Sequence, residues 1–180
     1  MKKIIVRILL GLAALLVIFL IVVALQPSTY KITRSATISA PPATVFALIN
    51  DFHKWEAWSP WAKLDPSAKN TFEGAPAGTG AIFKWAGNDK VGEGQMTLTD
   101  SKPPEQILIK LEFIKPFPSA CLTEFLFKPD GEKTTVTWTM SGEKGFVSKA
   151  FCMFMDMDKM VGGDFEKGLV SLKSVSEAAK

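Results

Sequence analysis

Residues 134–175 read TTVTWTMSGEKGFVSKAFCMFMDMDKMVGGDFEKGLVSLKSV, and the spacing of their apolar side chains changes partway along. Val136, Trp138 and Met140 alternate with threonines, which predicts a strand with one apolar face. From Phe146 onward the apolar positions follow helical spacing, which predicts one amphipathic helix of about 30 residues. We therefore expect the chain to end in a strand followed by a long helix that covers the apolar face of that strand.

Glycine interrupts the predicted helix at three positions, Gly162, Gly163 and Gly168. Each glycine in a helix interior costs up to ~1 kcal/mol relative to alanine. Such positions predict a close contact between the helix and the sheet, or a kink in the helix.

Upstream of residue 134, apolar segments of strand length are separated by Gly, Pro, Asn and Asp. Two short helices are predicted after the first strand, because Pro41-Pro42 favours a first helical turn. The predicted strands cover residues 29–40, 79–86, 91–101, 106–114, 120–128 and 134–141, and the short helices cover 43–50 and 52–61. This order of elements predicts an α+β fold with an antiparallel sheet.

The N-terminal segment contains no charge from Ile8 to Leu25, ILLGLAALLVIFLIVVAL. Its length is sufficient to cross about 30 Å of hydrocarbon as a helix. The sequence predicts an uncleaved membrane anchor in residues 1–28, followed by one domain in residues 29–180. A cleaved signal peptide and a buried core helix are the alternatives.

Basic residues are concentrated ahead of this segment, where Lys2, Lys3 and Arg7 stand without any acidic residue. They predict a cytoplasmic N-terminus and an extracytoplasmic domain, periplasmic or extracellular, on a single-pass chain. These three account for the excess of 21 basic over 18 acidic residues, so the rest of the chain is formally neutral. A neutral domain without a basic stripe argues against nucleic-acid binding.

Two cysteines and one histidine limit the chemistry of the domain. They cannot form a disulfide-dense scaffold, and they leave little for a zinc site or a Ser-His-Asp triad. We predict no metal and no cofactor. Cys121 and Cys152 are expected to be buried, reduced thiols, with a disulfide between them as the alternative.

Three segments carry a resemblance to a known family: ISAPPATVFALINDFHKWEAWSPW (38–61), FKWAGNDKVGEGQMTL (83–98) and MDKMVGGDFEKGLVSLK (157–173). Over about residues 29–178 the chain resembles the START-like (SRPBCC) superfamily, in its polyketide cyclase/dehydrase and lipid-transport branch. The resemblance implies a helix-grip fold, in which a curved antiparallel sheet wraps the C-terminal helix and leaves a cavity. Members bind lipids, sterols, polyketides and other apolar molecules, and a few are cyclases or dehydratases. It transfers no catalytic residue to this chain.

Aromatic and methionine side chains provide the expected wall of that cavity, because ligand pockets are mainly apolar and methionine adapts to varied shapes. Most such residues in any domain simply form the core, and the functional interpretation is that some of them line a cavity. The predicted lining residues are Trp58, Phe83, Trp85, Met96, Phe125, Trp138, Met140, Phe151, Phe154 and Met157. We expect Phe151, Phe154 and Met157 to face Trp138 and Met140.

Two side chains are candidates for acid–base chemistry. His53 is the only histidine, and Asp51 or Glu56 could orient it as a general base. Glu124 lies between apolar residues of a predicted strand, and its pKa would rise if it pointed into the cavity. The simpler interpretation makes His53 a solvated residue at a helix end and places Glu124 on the outer face of the sheet.

These observations favour a membrane-tethered domain that binds a hydrophobic small molecule or lipid without catalysis. One alternative is an enzyme of the cyclase or dehydratase type that uses His53 or Glu124. The other is a tethered interaction module whose core is filled by its own side chains. The sequence does not define the ligand or the oligomeric state.

Overall fold

The structure is a computed structural model that describes residues 2–179. The chain divides into two compact units. One unit contains the residues up to Tyr30 together with Glu143–Met157, and the other contains Lys31–Gly142 together with the residues from Asp158 onward.

The first unit is built around helix α1, Lys2–Leu25, which is almost entirely apolar and exposed along its length. Its length and composition fit a membrane-spanning helix, and they equally fit a signal sequence. The same unit contains the short helix α3, Phe146–Cys152. The Lys144 N–H donates a hydrogen bond of 2.7 Å to the Ser28 carbonyl and so joins the two segments of this unit.

The sheet contains seven strands in the order β1-β7-β6-β5-β4-β3-β2. The strands are β1 Thr29–Ile38, β2 Lys69–Gly74, β3 Ala81–Ala86, β4 Glu93–Lys102, β5 Gln106–Lys115, β6 Ser119–Asp130 and β7 Lys133–Glu143. From β2 to β7 each strand pairs antiparallel with the next one in the chain. Strand β1 is the neighbour of β7, so the first residues of the second unit lie beside β7.

Alternation along β7 separates an apolar face from a hydroxyl-rich face. Val136, Trp138 and Met140 are buried on the first face. On the other face, hydroxyl pairs join β1 to β7: Thr33–Thr139 at 3.1 Å, Ser35–Thr137 at 2.9 Å and Thr37–Thr135 at 3.2 Å. The period of two in the sequence is therefore the period of this strand.

The remaining helices of the second unit are α2, Pro42–Ile49, a 3₁₀ helix, Phe52–Ala57, and α4, Met157–Ala178. Pro42 occupies the first helical position of α2, where its missing N–H costs no hydrogen bond. The curved sheet and α4 form a helix-grip-like α+β fold, so the predicted fold class is confirmed.

Two predictions about elements were wrong. The single helix of about 30 residues is instead two helices, because α3 ends at Cys152 and α4 begins at Met157. Asp156 directly precedes α4, a position at which aspartate favours a helix start. Strand β2 was also not predicted, because it is an edge strand whose residues are all exposed and show no apolar alternation.

Candidate functional site

An aromatic cluster fills the space between the sheet and α4. Phe125 on β6 is the cross-strand partner of Trp138 on β7, and their ring centroids are 4.9 Å apart. Trp58 follows the 3₁₀ helix and lies 5.7 Å from Trp138 and 6.2 Å from Phe125. All three side chains are at most 2% exposed. The fold therefore brings together three of the residues predicted to line a cavity.

Helix α4 covers this cluster at Trp138. The ring of Phe165 stacks on the Trp138 ring with a centroid distance of 4.0 Å and an interplanar angle of 7°. A Cβ atom added at Gly168 would lie 2.9 Å from Trp138 Cζ3 and 3.1 Å from Pro60 Cδ. The predicted close contact between helix and sheet is confirmed at this glycine, whereas a Cβ at Gly163 would meet nothing within 4 Å.

The indole N–H of Trp138 has no hydrogen-bond acceptor among residues 2–179, although the side chain is buried. Three other indoles of the unit are satisfied: Trp55 Nε1 donates to the Ile49 carbonyl at 2.9 Å, Trp58 Nε1 to the Leu48 carbonyl at 3.2 Å and Trp85 Nε1 to the Val91 carbonyl at 2.9 Å. A buried donor without a partner costs about 1–3 kcal/mol. Trp138 Nε1 is therefore an unsatisfied donor inside an apolar cluster.

A second aromatic group lies toward the β2 edge of the sheet. Phe83 on β3 contacts Phe52, Phe72 and Trp85, with centroid distances of 6.1, 5.2 and 6.0 Å. Phe52 is 3% exposed, Phe83 and Trp85 are half-buried, and Phe72 is 40% exposed. Phe83 and Trp85, both predicted lining residues, are joined to the Trp138 cluster indirectly: Phe52 lies 5.3 Å from Trp55, and Trp55 lies 4.7 Å from Trp58.

The other predicted lining residues fall in several environments. Met96 on β4 and Met140 on β7 are buried in the sheet. Phe151 and Phe154 belong to the first unit and are 54% and 79% exposed, while Met157 is half-buried. The ring stacked on Trp138 is Phe165, and the membership of Phe151, Phe154 and Met157 in a cavity wall stays a prediction.

Sequence reasoning missed Phe165 and Trp61 as partners of Trp138. Trp61 is half-buried and lies 5.9 Å from Trp138 and 6.3 Å from Phe165. Phe165 lies on the same helical stripe as Leu169 and Leu172, both buried. The sequence shows this stripe, but the predicted helix is broken between α3 and α4. The residue that contacts Trp138 therefore lies in the C-terminal half of the predicted helix.

Two surface depressions are found in the second unit. One, of about 370 Å³, is lined by Leu48, His53, Lys54, Glu56 and Ala57. The other, of about 460 Å³, is lined by Pro104, Glu105, Leu126, Phe127, Lys128 and Pro129. Neither is lined by a residue of α4 or by any of the ten predicted lining residues.

His53 stands at the first depression and is oriented by two contacts. Its ring nitrogen Nδ1 lies 2.9 Å from Asp51 Oδ1, and its ring stacks on Phe72 at 4.1 Å. The side chain is 54% exposed. The carboxylate can hold one imidazole tautomer and leave Nε2 for a proton transfer, which is the geometry of an oriented base in an open setting.

The hypothesis that Glu124 points into a cavity is wrong. Cys121, Phe125 and Phe127 alternate with it and are buried, whereas Leu122 and Leu126 on its own face are exposed. The side-chain amide of Gln106, on the neighbouring strand β5, donates a hydrogen bond of 2.6 Å to Glu124 Oε1. Glu124 is a polar residue of the outer face.

An ion-pair network fastens the start of α4 to β1. The Arg34 guanidinium contacts Asp158 at 2.9 Å and Glu166 at 2.7 Å. A Cβ added at Gly162 would meet this guanidinium, so the glycine leaves the space that Arg34 occupies. The hydrogen bonds from Arg34 lower the pKa of Asp158. No local sequence pattern links these residues, because Arg34 is distant from α4 in the chain.

A second carboxylate joins two loops. Asp65 is 8% exposed and accepts hydrogen bonds from Ser67 Oγ at 2.7 Å, from the Ser67 N–H at 3.0 Å and from the Asn88 N–H at 2.7 Å. The Ser67 side chain, and then the Asn88 amide, hold the pKa of Asp65 below its ordinary value. This carboxylate fixes the turn between β3 and β4.

Metal ligands do not converge in the part of the chain that the structure describes: no three His, Cys, Asp or Glu side chains form a group that could hold an ion. Of the two cysteines, Cys121 is buried and Cys152 is half-buried.

The chain matches the family model described as "Polyketide cyclase / dehydrase and lipid transport" over residues 29–177, and it belongs to that family. The resemblance seen in the sequence is thereby confirmed. No curated protein sequence matches the chain significantly.

Solved structures share the fold at low sequence identity. Protein CV1439 from Chromobacterium violaceum is similar with a TM-score of 0.58 and 15% identity, over 84% of this chain and 99% of that one. A Thermobifida fusca protein solved by NMR is similar with a TM-score of 0.60 and 24% identity, over 81% and 92%. DynU16, from the dynemicin biosynthetic locus, is similar with a TM-score of 0.57 and 16% identity, over 83% of this chain and 48% of that one.

Proposed function

We propose that the chain is a membrane-tethered domain that binds an apolar molecule carrying a hydrogen-bond acceptor, without catalysing a reaction. The observation that supports this most directly is the unpartnered Trp138 Nε1 at the centre of the aromatic cluster. An apolar ligand with one carbonyl, ester or hydroxyl oxygen would satisfy this donor and stack against the surrounding rings. Lipids and polyketides, the ligand classes implied by the family, carry such oxygens.

Binding between β7 and α4 requires some of these rings to move, because the cluster is closely packed. Trp61 is the partly exposed member and contacts both Trp138 and Phe165, so its displacement would open the cluster from the surface.

In this proposal α1 is the tether. Lys2, Lys3 and Arg7 stay on the cytoplasmic side by the positive-inside rule, and the binding domain lies outside. A ligand that partitions into membranes would then reach the domain over a short distance.

The test compares Trp138→Phe with the matched variant Trp85→Phe in the domain expressed without residues 1–28, with folding checked by near-ultraviolet circular dichroism. Nile red, which is apolar and carries a carbonyl acceptor, is the probe. Loss of one hydrogen bond, worth about 0.5–1.5 kcal/mol, is expected to weaken binding by about 2- to 12-fold in Trp138→Phe. Trp85 is also a predicted lining residue, but its Nε1 already donates to Val91, so Trp85→Phe shrinks the ring without removing a donor for the ligand and should weaken binding less than Trp138→Phe. Equal affinities in all three proteins would contradict the proposed donor.

A module with a filled core is the second candidate. The parallel stacking of Trp138 on Phe165 at 4.0 Å favours it, since these rings already occupy the face where a ligand would lie. A folded domain that binds neither Nile red nor lipid co-purified in native mass spectrometry would select this candidate.

An enzyme is the third candidate, and the His53–Asp51 pair beside the first depression favours it. The His53→Ala variant separates it from binding alone. Probe binding should survive the change under our proposal, and loss of a measured turnover with binding intact would select the enzyme.

A further inference from the structure

The segment Phe146–Met155, FVSKAFCMFM, forms an exposed apolar surface in the first unit. It is short, and its large apolar side chains face outward: Val147 is 77% exposed, Phe151 54% and Phe154 79%. Phe146, Met153 and Met155 are also exposed. Large contiguous apolar surfaces of this kind mark interaction sites.

Contacts within the first unit align this segment with α1. The ring of Phe154 stacks on that of Phe19 with a centroid distance of 6.5 Å. At the other end, Lys149 Nζ lies 3.4 Å from the carbonyl oxygen of Ala24, beside the end of α1 at Leu25. The two contacts give the segment a direction along the α1 axis.

These contacts give the depth that the segment would have in a membrane spanned by α1. Phe19 precedes Leu25 by six residues, which is about 9 Å along a helix that rises 1.5 Å per residue. If the end of α1 marks the edge of the hydrocarbon, Phe154 lies about 9 Å inside it and Lys149 lies at the edge. Interfacial helices bury their apolar faces by about 5–10 Å.

The charge distribution agrees with this depth. Lys149 is the only charged residue from Phe146 to Met155. It lies beside the C-terminal end of α1, which would face the lipid headgroups. A lysine there can extend its ammonium toward lipid phosphates while its alkyl chain stays in apolar surroundings.

We propose that Phe146–Met155 is a second membrane contact, inserted into the acyl chains of the outer leaflet beside α1. The proposal rests on the tether of the proposed function, because it takes α1 as the membrane span. The occupant of the apolar surface is the phospholipid bilayer that holds α1, since Phe154 lies alongside Phe19 of that helix. A chain attached in this way has two membrane contacts instead of one.

The test uses the full chain in vesicles of phosphatidylcholine mixed with phosphatidylglycerol. Single cysteines labelled with the polarity-sensitive fluorophore NBD are placed at three positions, in a background of Cys121→Ala and Cys152→Ser. They are Phe154→Cys, the reference Ile18→Cys on an exposed position of α1, and the control Val170→Cys on an exposed position of α4. Acyl-chain doxyl lipids quench labels inside the bilayer, and iodide quenches labels in water.

The label at position 154 is expected to be quenched by doxyl lipid as strongly as the label at position 18, and the label at position 170 only by iodide. Quenching at 18 but not at 154 would overturn the second contact and leave the tether intact. Absence of lipid quenching at 18 would overturn the tether itself. Self-quenching at 154 that grows with protein density, without doxyl quenching, would assign the surface to a second copy of the chain and overturn the proposal.

A second measurement needs no substitution. The wild-type chain in vesicles with a diazirine-bearing phospholipid is photolysed and its peptides are mapped by mass spectrometry. Adducts are expected in α1 and in Phe146–Met155, and not around Val170. Adducts in α1 alone would reject the second contact.

Discussion

Alanine substitution at two glycines of α4 tests whether Trp138 is held against the helix. A Cβ at Gly168 would lie 2.9 Å from Trp138 Cζ3 and 3.1 Å from Pro60 Cδ, whereas a Cβ at Gly163 would meet nothing within 4 Å. The two sites share one helix and one chemical change. The difference between Gly168→Ala and Gly163→Ala therefore isolates the packing cost at Trp138.

The magnitude follows from two opposing effects. Replacing an interior helical glycine by alanine stabilises a helix by about 0.8–1.0 kcal/mol. At Gly168 this gain is opposed by overpacking, typically about 1–3 kcal/mol, because Trp138 is stacked on Phe165 at 4.0 Å and is only 2% exposed. We expect Gly163→Ala to raise the free energy of unfolding by about 1 kcal/mol. Gly168→Ala should leave it unchanged or lower it by up to about 2 kcal/mol.

Thermal unfolding of the full chain in detergent, followed by near-ultraviolet circular dichroism, measures the difference. For a chain of this size 1 kcal/mol shifts Tm by about 2–4 °C, so the two variants should differ by about 2–12 °C. Equal stabilisation by both substitutions would refute the reasoning, because it would mean that Trp138 yields freely at α4. The same result would make the cluster easy to open for a ligand.

Three further predictions concern the Trp138 ring, the Asp65 carboxylate and the membrane topology. Trp138→Ala should lower the free energy of unfolding by about 3–5 kcal/mol in urea unfolding, and a loss under 1 kcal/mol would show that the ring is not a core element. Asp65, whose pKa is depressed, contributes stability above its ordinary value of 3.8 and loses it as the pH falls through the folded-state pKa. Asp65→Asn should therefore have a lower Tm than wild type at neutral pH, and the gap should narrow as the pH falls below 3.8; a constant gap would contradict the assignment. Protease added outside right-side-out vesicles should digest residues 29–180, and full protection would reverse the proposed topology.

The sequence was sufficient for the architecture because local pattern and tertiary environment agree in most elements. The alternation at Val136, Trp138 and Met140 reappears as the buried face of β7, and the stripe through Phe165, Leu169 and Leu172 reappears as the buried face of α4. Pattern is sufficient where one face of an element is buried and the other is exposed.

The spacing of apolar residues did not predict elements whose two faces do not differ in burial. Strand β2 forms by pairing its backbone with β3, and its side chains are exposed, so no period of two exists to be read. The prediction for the segment after Phe146 was wrong for the opposite reason. It is apolar like a core helix, but in the structure it is exposed, and composition alone does not distinguish a residue buried in protein from one that faces lipid.

The site was harder to predict than the fold because its contacts join distant parts of the chain. The sequence identified Trp58, Phe125 and Trp138 as apolar, but the unpartnered state of Trp138 Nε1 depends on which acceptors the folded chain brings within reach of the buried ring. Arg34 likewise gains its role only when Gly162 admits it to α4. One feature depends on a small residue that admits a distant side chain and the other on a buried donor without an acceptor, and both are set by packing between segments that are distant in the chain. Under the proposed binding function, substitutions that alter the ligand preference should cluster around Trp138 and Gly168, in strands and helices that the local pattern would assign to the core alone.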